Sequence, residues 1–302
     1  MSTPSRVSVI IPSLNRKPCV VNLISDLMEQ TLEPSEIIVV DQSDIPYELT
    51  GCVYVHDVGR GPCRAKNKGI ELATGDILVF LDDDIRIDST FLKKLCFPII
   101  EGRFEAVSGA FCDANGNYQF SDCRKWQYPS QRLIQAITSQ PGHSGQCLTL
   151  GFTAGCSAIT RKAIDVVGCF DPFYDPDGAG EDRDMGLRLF HHGFAILYNG
   201  SAKANHLGLL SGGRRAVKDV YKVNPIEGNM LYIVKKFFSD EVFTEYARNW
   251  QFEFSIRKLS WHPITWYKAI RRLSAARKHI LSINNMEIKV LSGPDFRVDI
   301  KI

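Results

Sequence analysis

Short apolar runs alternate with amphipathic stretches along the first two thirds of the chain. Four runs of β-branched, aliphatic and aromatic residues have the length and composition of buried strands, at 7–11, 37–40, 52–56 and 77–81. Between them, apolar residues recur at helical spacing in stretches that begin near Pro18 and Arg60. This alternation predicts an α/β fold with a parallel or mostly parallel sheet, helices on its faces and right-handed crossovers.

The same pattern predicts which residues each helix buries. The first helix is expected to bury Val20, Val21, Ile24, Leu27 and Met28, and the second Ala65, Ile70 and Leu72. A third helix is expected after Asp88–Thr90 and is expected to be disturbed at Pro98. Later in the chain we expect a strand at 106–111, a turn at Asn115–Gly116, a helix from Glu181, a short edge strand at 196–198 and helices from about Val217 onward.

Three adjacent aspartates, Asp82, Asp83 and Asp84, follow the most apolar of these strands directly. Their charges repel one another, so they are expected to emerge at the carboxyl end of the strand, where open α/β sheets bind ligands. One interpretation is a solvated acidic turn. The other is a site for a hard divalent cation, Mg²⁺ or Mn²⁺, which takes oxygen ligands of this kind.

Composition limits the function classes. The chain has 302 residues with 44% hydrophobic content and a net charge of +2, so no basic field argues for nucleic acid. No apolar run is long enough to cross a bilayer, and Met1–Arg6 does not resemble a signal peptide. Nine cysteines without a C-x-x-C pair favour a reducing compartment, so we expect a cytoplasmic location.

Several polar residues beyond the acidic run are candidates for chemistry. Glu181 and Asp182 open a helix, where the dipole favours carboxylates, but the same carboxylates suit a general base. His206 is expected in a loop, as a structural residue or as a ligand. Arg214 and Arg215 follow two glycines, which suits a loop that closes on a diphosphate.

The C-terminal third is locally basic. Ten basic and four acidic residues lie between Leu231 and Ser282, interleaved with tryptophan, tyrosine and phenylalanine. Ordinary helical packing with solvated lysines accounts for this pattern. The sharper hypothesis is peripheral contact with the anionic cytoplasmic face of a membrane.

Five short motifs in order resemble glycosyltransferase family 2, whose fold is the Rossmann-like nucleotide-diphospho-sugar transferase (GT-A) fold. They are Val9-Ile10-Ile11-Pro12 with Asn15-Arg16, Ile38-Val39-Val40-Asp41, Arg64-Ala65-x-Asn67-x-Gly69, Phe80-Leu81-Asp82-Asp83-Asp84, and Gly180-Glu181-Asp182-x-Asp184 before Leu187-x-Leu189. The resemblance covers roughly the first two thirds of the chain. It implies an inverting, metal-dependent transfer from a nucleotide sugar, with UDP or dTDP as the nucleotide, to a glycan or lipid-linked acceptor.

The resemblance also implies roles for individual residues. For the donor nucleotide, Pro12, Leu14, Asn15 and Arg16 would line the base pocket, Asp41 would bond the base, Arg64 would reach the base or diphosphate, and Asp83 would contact ribose. Asp84 would bind the metal, Asp82 could share either task, and His206 would face the metal or diphosphate. Asp182, helped by Glu181, would be the catalytic base.

The chain departs from the family at three places. Asp41-Gln42-Ser43-Asp44 replaces the usual Asp-Asp-Gly-Ser, and Leu14 stands where relatives often place an aromatic residue. The Q-x-x-R-W signature of processive synthases is absent, which favours addition of one or a few sugars in surface glycan or glycoconjugate biosynthesis. The alternatives are a sugar nucleotidyltransferase and a non-catalytic module that binds nucleotide sugars.

The expected organisation is a transferase domain followed by a helical region. Residues 1–210 would form the transferase domain, with the nucleotide-sugar half at 1–115 and the acceptor half at 116–210. Residues 211–302 would form a mainly helical C-terminal region.

Overall fold

The computed structural model describes residues 5–119, 140–176, 178–209, 211–213 and 225–256, together with residues 278 and 281. Side chains in 225–227 and 250–256 are not described. The chain divides into two compact units. The described residues up to 213 belong to the first unit, and those of 225–256 belong to the second.

A nine-stranded sheet forms the first unit's centre. Its strands are β1 Val7–Ser13, β2 Glu36–Asp41, β3 Val53–His56, β4 Ile77–Leu81, β5 Ile85–Ile87, β6 Ala106–Cys112, β7 Gln146–Thr149, β8 Cys156–Thr160 and β9 Ile196–His206. They pair in the order β3-β2-β1-β4-β8-β6-β9-β5, and β7 also pairs with β9. The first four strands in this order are mutually parallel, and β6 is parallel to β9. The remaining four pairings are antiparallel, so the second half of the sheet is mixed.

Seven helices accompany the sheet in the described residues. They are α1 Lys17–Met28, α2 Pro62–Leu72, α3 Phe91–Ile100, α4 Arg161–Val167, α5 Glu181–His191, α6 Pro225–Phe237 and α7 Asp240–Ile256. The predicted α/β architecture and the C-terminal helices are therefore confirmed. The expected turn at Asn115–Gly116 is also present, closed by a bridge between Cys112 and Tyr118.

The core lies on both faces of the sheet because β1 and β4 are buried along their apolar lengths. All five residues of β4 are at most 2% exposed, and burying each such side chain contributes roughly 1.5–3 kcal/mol. Phe80 meets the rings of Phe152 and Phe170 on the side of the sheet where α2 packs against Ile10. A Cβ at Gly69 would overlap Ile10, so this glycine lets α2 lie close to β1.

Two predictions about burial and strands were wrong. Val21 and Met28 are 46% and 60% exposed, because the buried stripe of α1 follows Val20, Leu23, Ile24 and Leu27 instead. The strand expected at 196–198 is neither short nor at an edge. It extends from Ile196 to His206, because its two ends find different partners: β7 near its start and β5 near its end.

Pro98 does not interrupt α3, which continues to Ile100. Proline lacks the N–H that would bond the carbonyl four residues earlier, here that of Lys94. Asn199 in β9 supplies the missing donor, since its Nδ2 lies 2.8 Å from the Lys94 oxygen. A side chain distant in sequence therefore satisfies this carbonyl, and the helix is not disturbed at Pro98 as the sequence predicted.

The second unit contains α6 and α7, which pack against each other. No helix in the described part of the chain is long and apolar enough to cross a membrane. Six of the ten basic residues in the basic and aromatic segment lie outside the described residues, so the expected membrane contact stays a prediction.

Candidate active site

A cleft of about 660 Å³ opens at the carboxyl ends of β1 and β4. Its lining comes from Pro12, Ser13, Leu14, Arg16, Gln42, Gly61, Pro62, Lys66, Asp82, Asp83, Asp84, Pro176, Gly178, Glu181, His206 and Gly213. All of these residues belong to the first unit. The volume is in the range that holds a small ligand or cofactor. The three aspartates thus emerge where the sequence places them, at the ligand-binding edge of the sheet.

Asp83 and Asp84 are almost completely buried and are both paired with Arg16. The Nη1 atom of Arg16 lies 2.9 Å from Asp83 Oδ1 and 2.9 Å from Asp84 Oδ2. The hydroxyl of Ser13 donates to the other oxygen of Asp83 at 2.8 Å. Burial raises the pKa of Asp83 to about 6 despite this cation. One guanidinium therefore balances two neighbouring carboxylates.

Arg16 is held in place by the segment that follows β9. Its Nε donates to the carbonyl of Ser211 at 3.1 Å, and the N–H of Gly213 donates to Leu14 at 2.7 Å. Gly212 and Gly213 have φ of 71° and 51°, and a Cβ on either would press on the Arg16 side chain. Glycine is therefore required for this close approach.

Asp82, Asp84 and His206 converge at one point of the cleft. One ligand atom from each lies within 4.8 Å of the others. The last residue of β9 is His206, which pairs with Ile85 in β5 immediately after Asp84. The N–H of Gly208 donates to its Nδ1 at 3.1 Å, and its Nε2 lies 3.3 Å from Asp84 Oδ1. His206 is therefore a strand residue, where the sequence had predicted a loop.

The electrostatics of this triad suit a hard divalent cation. Burial would raise the pKa of Asp84, but the hydrogen bond and charge of His206 and the charge of Arg16 lower it overall. The same bond to Asp84 raises the pKa of His206. Although Asp84 Oδ2 is close to Arg16, it is buried without a well-aligned hydrogen bond. Two carboxylates and an imidazole whose ligand atoms converge in this way fit Mg²⁺ or Mn²⁺.

Space for the Asp82 carboxylate comes from Gly155, the residue directly before β8. A Cβ at Gly155 would overlap all three carboxylate atoms of Asp82. The N–H of Asp82 also donates to the Gly155 carbonyl at 3.0 Å. Burial raises the pKa of Asp82, while Lys66 acts in the opposite direction. The absence of a side chain at Gly155 thus lets the backbone before β8 pack closely against β4, and it also leaves room for the Asp82 carboxylate.

The residues expected at the nucleotide base are only partly brought together. Pro12 and Leu14 line the cleft. The side chain of Asn15 does not, since it exchanges hydrogen bonds with Asp44 at 2.9 and 3.1 Å. Asn15 has φ of 57°, a left-handed conformation that asparagine tolerates well, so it supports the turn after β1.

Asp41 is fully buried and does not line the cleft. Its Oδ1 accepts from the backbone N–H and the hydroxyl of Ser43, and its Oδ2 accepts from the Tyr54 hydroxyl at 2.8 Å. Both carboxylate oxygens are therefore engaged within the protein in this conformation. Its neighbour Gln42 lines the cleft instead.

The cleft-lining cation of α2 is Lys66, whereas the sequence had suggested Arg64. Arg64 is more than half exposed and pairs with Asp57 at 2.8 Å, away from the cleft. Lys66 is 2% exposed and forms an ion pair with Glu181. Sequence reasoning missed Lys66 although it stands two residues from Arg64 in the same motif.

Glu181 and Asp182 form the first turn of α5, but they differ in environment. Glu181 is 7% exposed and lines the cleft. Asp182 is partly exposed, and its Oδ1 accepts from the N–H of Arg183 at 2.8 Å. Arg214 and Arg215, expected to close on a diphosphate, lie outside the described residues.

Comparison with known proteins identifies relatives. The family model described as Glycosyl transferase family 2 matches residues 8–168, slightly more than half of the chain. YwdF, an uncharacterized glycosyltransferase of Bacillus subtilis strain 168, is 27% identical over 177 residues, which are 55% of this chain and 62% of that protein. An uncharacterized glycosyltransferase of Haemophilus influenzae is 30% identical over 102 residues, 32% of this chain and 33% of that protein. The chain thus spans less than two thirds of the length of these relatives.

A solved structure shares the fold. The crystal structure of GalNAc-T7 with UDP, GalNAc and Mn²⁺ has a TM-score of 0.60 and 16% identity, covering 96% of this chain and 59% of that one. At this identity the likeness concerns the fold alone, and it confirms the expected GT-A architecture.

Proposed function

The chain belongs to glycosyltransferase family 2, and from this premise we propose that it is an inverting, metal-dependent glycosyltransferase. It moves a sugar from a nucleoside diphosphate sugar, with UDP or dTDP as the nucleotide, to a hydroxyl group of an acceptor. The observation that carries this proposal is the convergence of Asp82, Asp84 and His206 in a cleft of suitable size.

In this proposal Asp82, Asp84 and His206 hold Mg²⁺ or Mn²⁺. When bound, the cation neutralises the diphosphate and stabilises the charge that develops on the departing nucleotide. GalNAc-T7, which shares the fold, was crystallised with UDP and Mn²⁺, and this supports both the nucleotide and the metal. The converging ligand atoms of Asp82, Asp84 and His206 support the metal independently of that likeness.

The uncharged side chains of the lining would hold the nucleoside. Pro12, Leu14, Gln42 and Pro62 contribute apolar surface and one amide to the cleft. Asp83 lines the cleft and is fixed by Ser13 and Arg16, and it would accept from ribose hydroxyls because each carboxylate oxygen can accept a second hydrogen bond. Because Asp41 does not line the cleft and is engaged by Ser43 and Tyr54, we propose that it orients the loop beside the base and does not contact it directly.

Asp182 would accept the proton of the attacking hydroxyl. A general base needs a carboxylate oxygen that the acceptor can reach. Asp182 is partly exposed at the first turn of α5, whereas both oxygens of Glu181 bond to α2. The acceptor oxygen attacks the anomeric carbon, the bond to the diphosphate breaks, and one displacement inverts the configuration.

The remaining expectations complete the proposal. Residues 1–210 would form the transferase domain, with the donor half at 1–115 and the acceptor half at 116–210, and residues 211–302 would form the helical region. The enzyme would add one or a few sugars to a glycan or lipid-linked acceptor in the cytoplasm.

A panel of nucleotide sugars tests the function. The protein is incubated with UDP-, dTDP- and GDP-sugars in Mn²⁺, and release of nucleoside diphosphate is measured with and without EDTA. We expect slow hydrolysis of a UDP- or dTDP-sugar that EDTA abolishes and that the Asp84→Ala variant lacks. Asp165→Asn, which changes an exposed carboxylate on α4, serves as the matched control and should behave as the wild type.

Each alternative gives a different result in the same assay. A sugar nucleotidyltransferase would instead exchange pyrophosphate into the nucleotide sugar. A non-catalytic module would bind a nucleotide sugar without turnover. Either outcome, or turnover that is unaffected by EDTA, would refute the proposed reaction.

A further inference from the structure

A buried cluster joins helix α2 to the start of helix α5. Lys66 forms an ion pair with Glu181 Oε1, and the thiol of Cys63 lies 2.8 Å from Glu181 Oε2. Lys66 and Glu181 are 2% and 7% exposed, and Cys63 is fully buried. Both oxygens of Glu181 are therefore occupied by groups from α2.

The cluster leaves Glu181 poorly suited to take a proton from a substrate. Its carboxylate reaches the cleft wall, but each oxygen already has a partner from α2 within the protein. Glycines on both sides allow this fit, because a Cβ at Gly178 would overlap Pro62 and a Cβ at Gly61 would overlap Asp175. Asp175 also accepts from the backbone N–H groups of Cys63 and Arg64 at 3.0 Å each. The segment before α5 is thus attached to α2 at two points.

Lys66 also connects the start of α5 electrostatically to the acidic site. Its charge acts on Asp82 as well as on Glu181, and its Nζ lies 5.3 Å from the centre of the Phe170 ring. Burial alone would lower the pKa of Lys66, but the charges of Glu181 and Asp82 raise it, so the ammonium is retained. An ammonium buried this deeply is stable only with such partners.

We infer that Lys66 is a positioning residue, which fixes Glu181 against α2 and thereby fixes the first turn of α5, the turn that also carries Asp182. This inference rests on the proposed function, because positioning of Asp182 matters only if its carboxylate takes the acceptor's proton. Lys66 acts through Glu181 and does not contact the departing diphosphate.

The test compares Lys66→Met with Lys66→Arg, Glu181→Gln and the double variant Lys66→Met/Glu181→Gln. Lys68→Met is the matched control, since Lys68 lies on the same helix but its side chain is 38% exposed and pairs locally with Glu71. Four quantities are measured: kcat and KM for the nucleotide sugar found active in the panel, the Kd of UDP with Mn²⁺ by calorimetry, and hydrogen exchange of the peptide covering 178–187.

A positioning role predicts a split between turnover and binding. Lys66→Met and Glu181→Gln should each lower kcat about 100-fold, the size of effect that a misplacement near 1 Å produces. The Kd of UDP with Mn²⁺ should change less than about threefold, and exchange at the start of α5 should rise. Lys66→Arg keeps the charge and should retain most of kcat. Lys68→Met should match the wild type.

The double variant keeps the test informative if Lys66→Met alone fails to fold. It removes both charges together, so no buried ion is left without a partner. Because the two residues act as one unit, the kcat of the double variant should be at most about threefold below the kcat of either single variant.

Three results would overturn the inference. Normal kcat in a folded Lys66→Met or double variant would show that the ion pair only stabilises the fold. A Kd for UDP with Mn²⁺ raised more than about tenfold would make Lys66 a contact of the diphosphate. Unchanged hydrogen exchange of the peptide 178–187 would show that Lys66 does not hold the first turn of α5 in place. A wild-type protein that turns over no donor refutes the proposed function instead, and so is distinguishable from these outcomes.

Discussion

Replacing Arg16 by methionine tests the electrostatic balance of the acidic site. The change keeps most of the aliphatic side chain and removes the charge that pairs with Asp83 and Asp84. The side chains of Arg16, Asp83 and Asp84 are 9%, 5% and 3% exposed, so solvent cannot replace the lost cation efficiently. In the metal-free protein, Asp83 would then be buried without a counter-charge, and Asp84 would keep only His206 as a partner.

The expected loss of stability follows from the geometry. Unit charges about 4 Å apart attract by roughly 4 kcal/mol at an effective dielectric constant of about 20. Arg16 makes two such contacts but is itself desolvated, and removing one partner of a buried pair typically costs about 3–5 kcal/mol. For a domain of this size, that loss corresponds to a decrease in Tm of roughly 10 °C.

Divalent metal should reverse most of this loss. Arg16 and the proposed Mn²⁺ would both bind Asp84. Mn²⁺ would therefore compete with Arg16 for this carboxylate in the wild type, whereas the Arg16→Met variant has no such competitor. A coupling of about 1.4 kcal/mol would lower the Kd of Mn²⁺ tenfold. Mn²⁺ at about 100 times its Kd adds about 2.7 kcal/mol of stability. The Tm gap between the two proteins should therefore narrow as Mn²⁺ is added.

The assay is thermal unfolding in EDTA and in increasing Mn²⁺, with Mn²⁺ affinity from electron paramagnetic resonance. Arg86→Met is the control, because Arg86 pairs with Asp26 at 2.6 and 2.7 Å without contacting the acidic site. Its loss of stability should not depend on metal. Equal Mn²⁺ affinity in the wild type and Arg16→Met would refute the reasoning, as would equal stabilisation by Mn²⁺.

Three further variants probe separate parts of the structure. Asp84→Ala should abolish measurable Mn²⁺-dependent binding of UDP in calorimetry, and unchanged affinity would remove Asp84 from the metal site. Asp182→Asn should keep the Kd of UDP with Mn²⁺ within about threefold but lower kcat by at least about 100-fold, within the range assigned to general base catalysis; near-normal turnover would place the base elsewhere. Asn199→Ala should cost about 1–3 kcal/mol in calorimetric unfolding, because it leaves the Lys94 carbonyl without its donor. An unchanged Tm would mean that water or another group bonds that carbonyl.

Those parts of the candidate site that depend on residues adjacent in the sequence were predictable. The apolar run of β4 and the three aspartates after it predict both the strand and the place where the carboxylates emerge. The choice between Arg64 and Lys66 was not predictable in this way. Two residues apart on a helix point in nearly opposite directions, so the orientation of α2 decides which cation faces the cleft. That orientation depends on the contact of Gly69 with Ile10 and on the cap from Asp175.

Asp41 shows the same limit at the end of a strand. Its position after four apolar residues predicts that it leaves the sheet at the ligand-binding edge. The register between β2 and β3, however, pairs Tyr54 with Val39, two residues before Asp41, and from there the Tyr54 hydroxyl together with Ser43 occupies both carboxylate oxygens. The pairing between strands decides whether such a carboxylate faces a ligand or the protein. This pairing cannot be read from a single sequence.

By itself, the sequence determined the alternation of strands and helices and the acidic end of β4, because local periodicity and charge repulsion act over a few residues. Only the tertiary structure decided that His206 meets Asp82 and Asp84, that Arg16 neutralises two of the aspartates, and that Lys66 binds Glu181. Each of these contacts joins residues far apart in the chain. They form because β9 pairs with β5, because β1 pairs with β4, and because α2 packs against the segment before α5 and the start of α5. Strand register and helix packing therefore set the chemistry of the cleft.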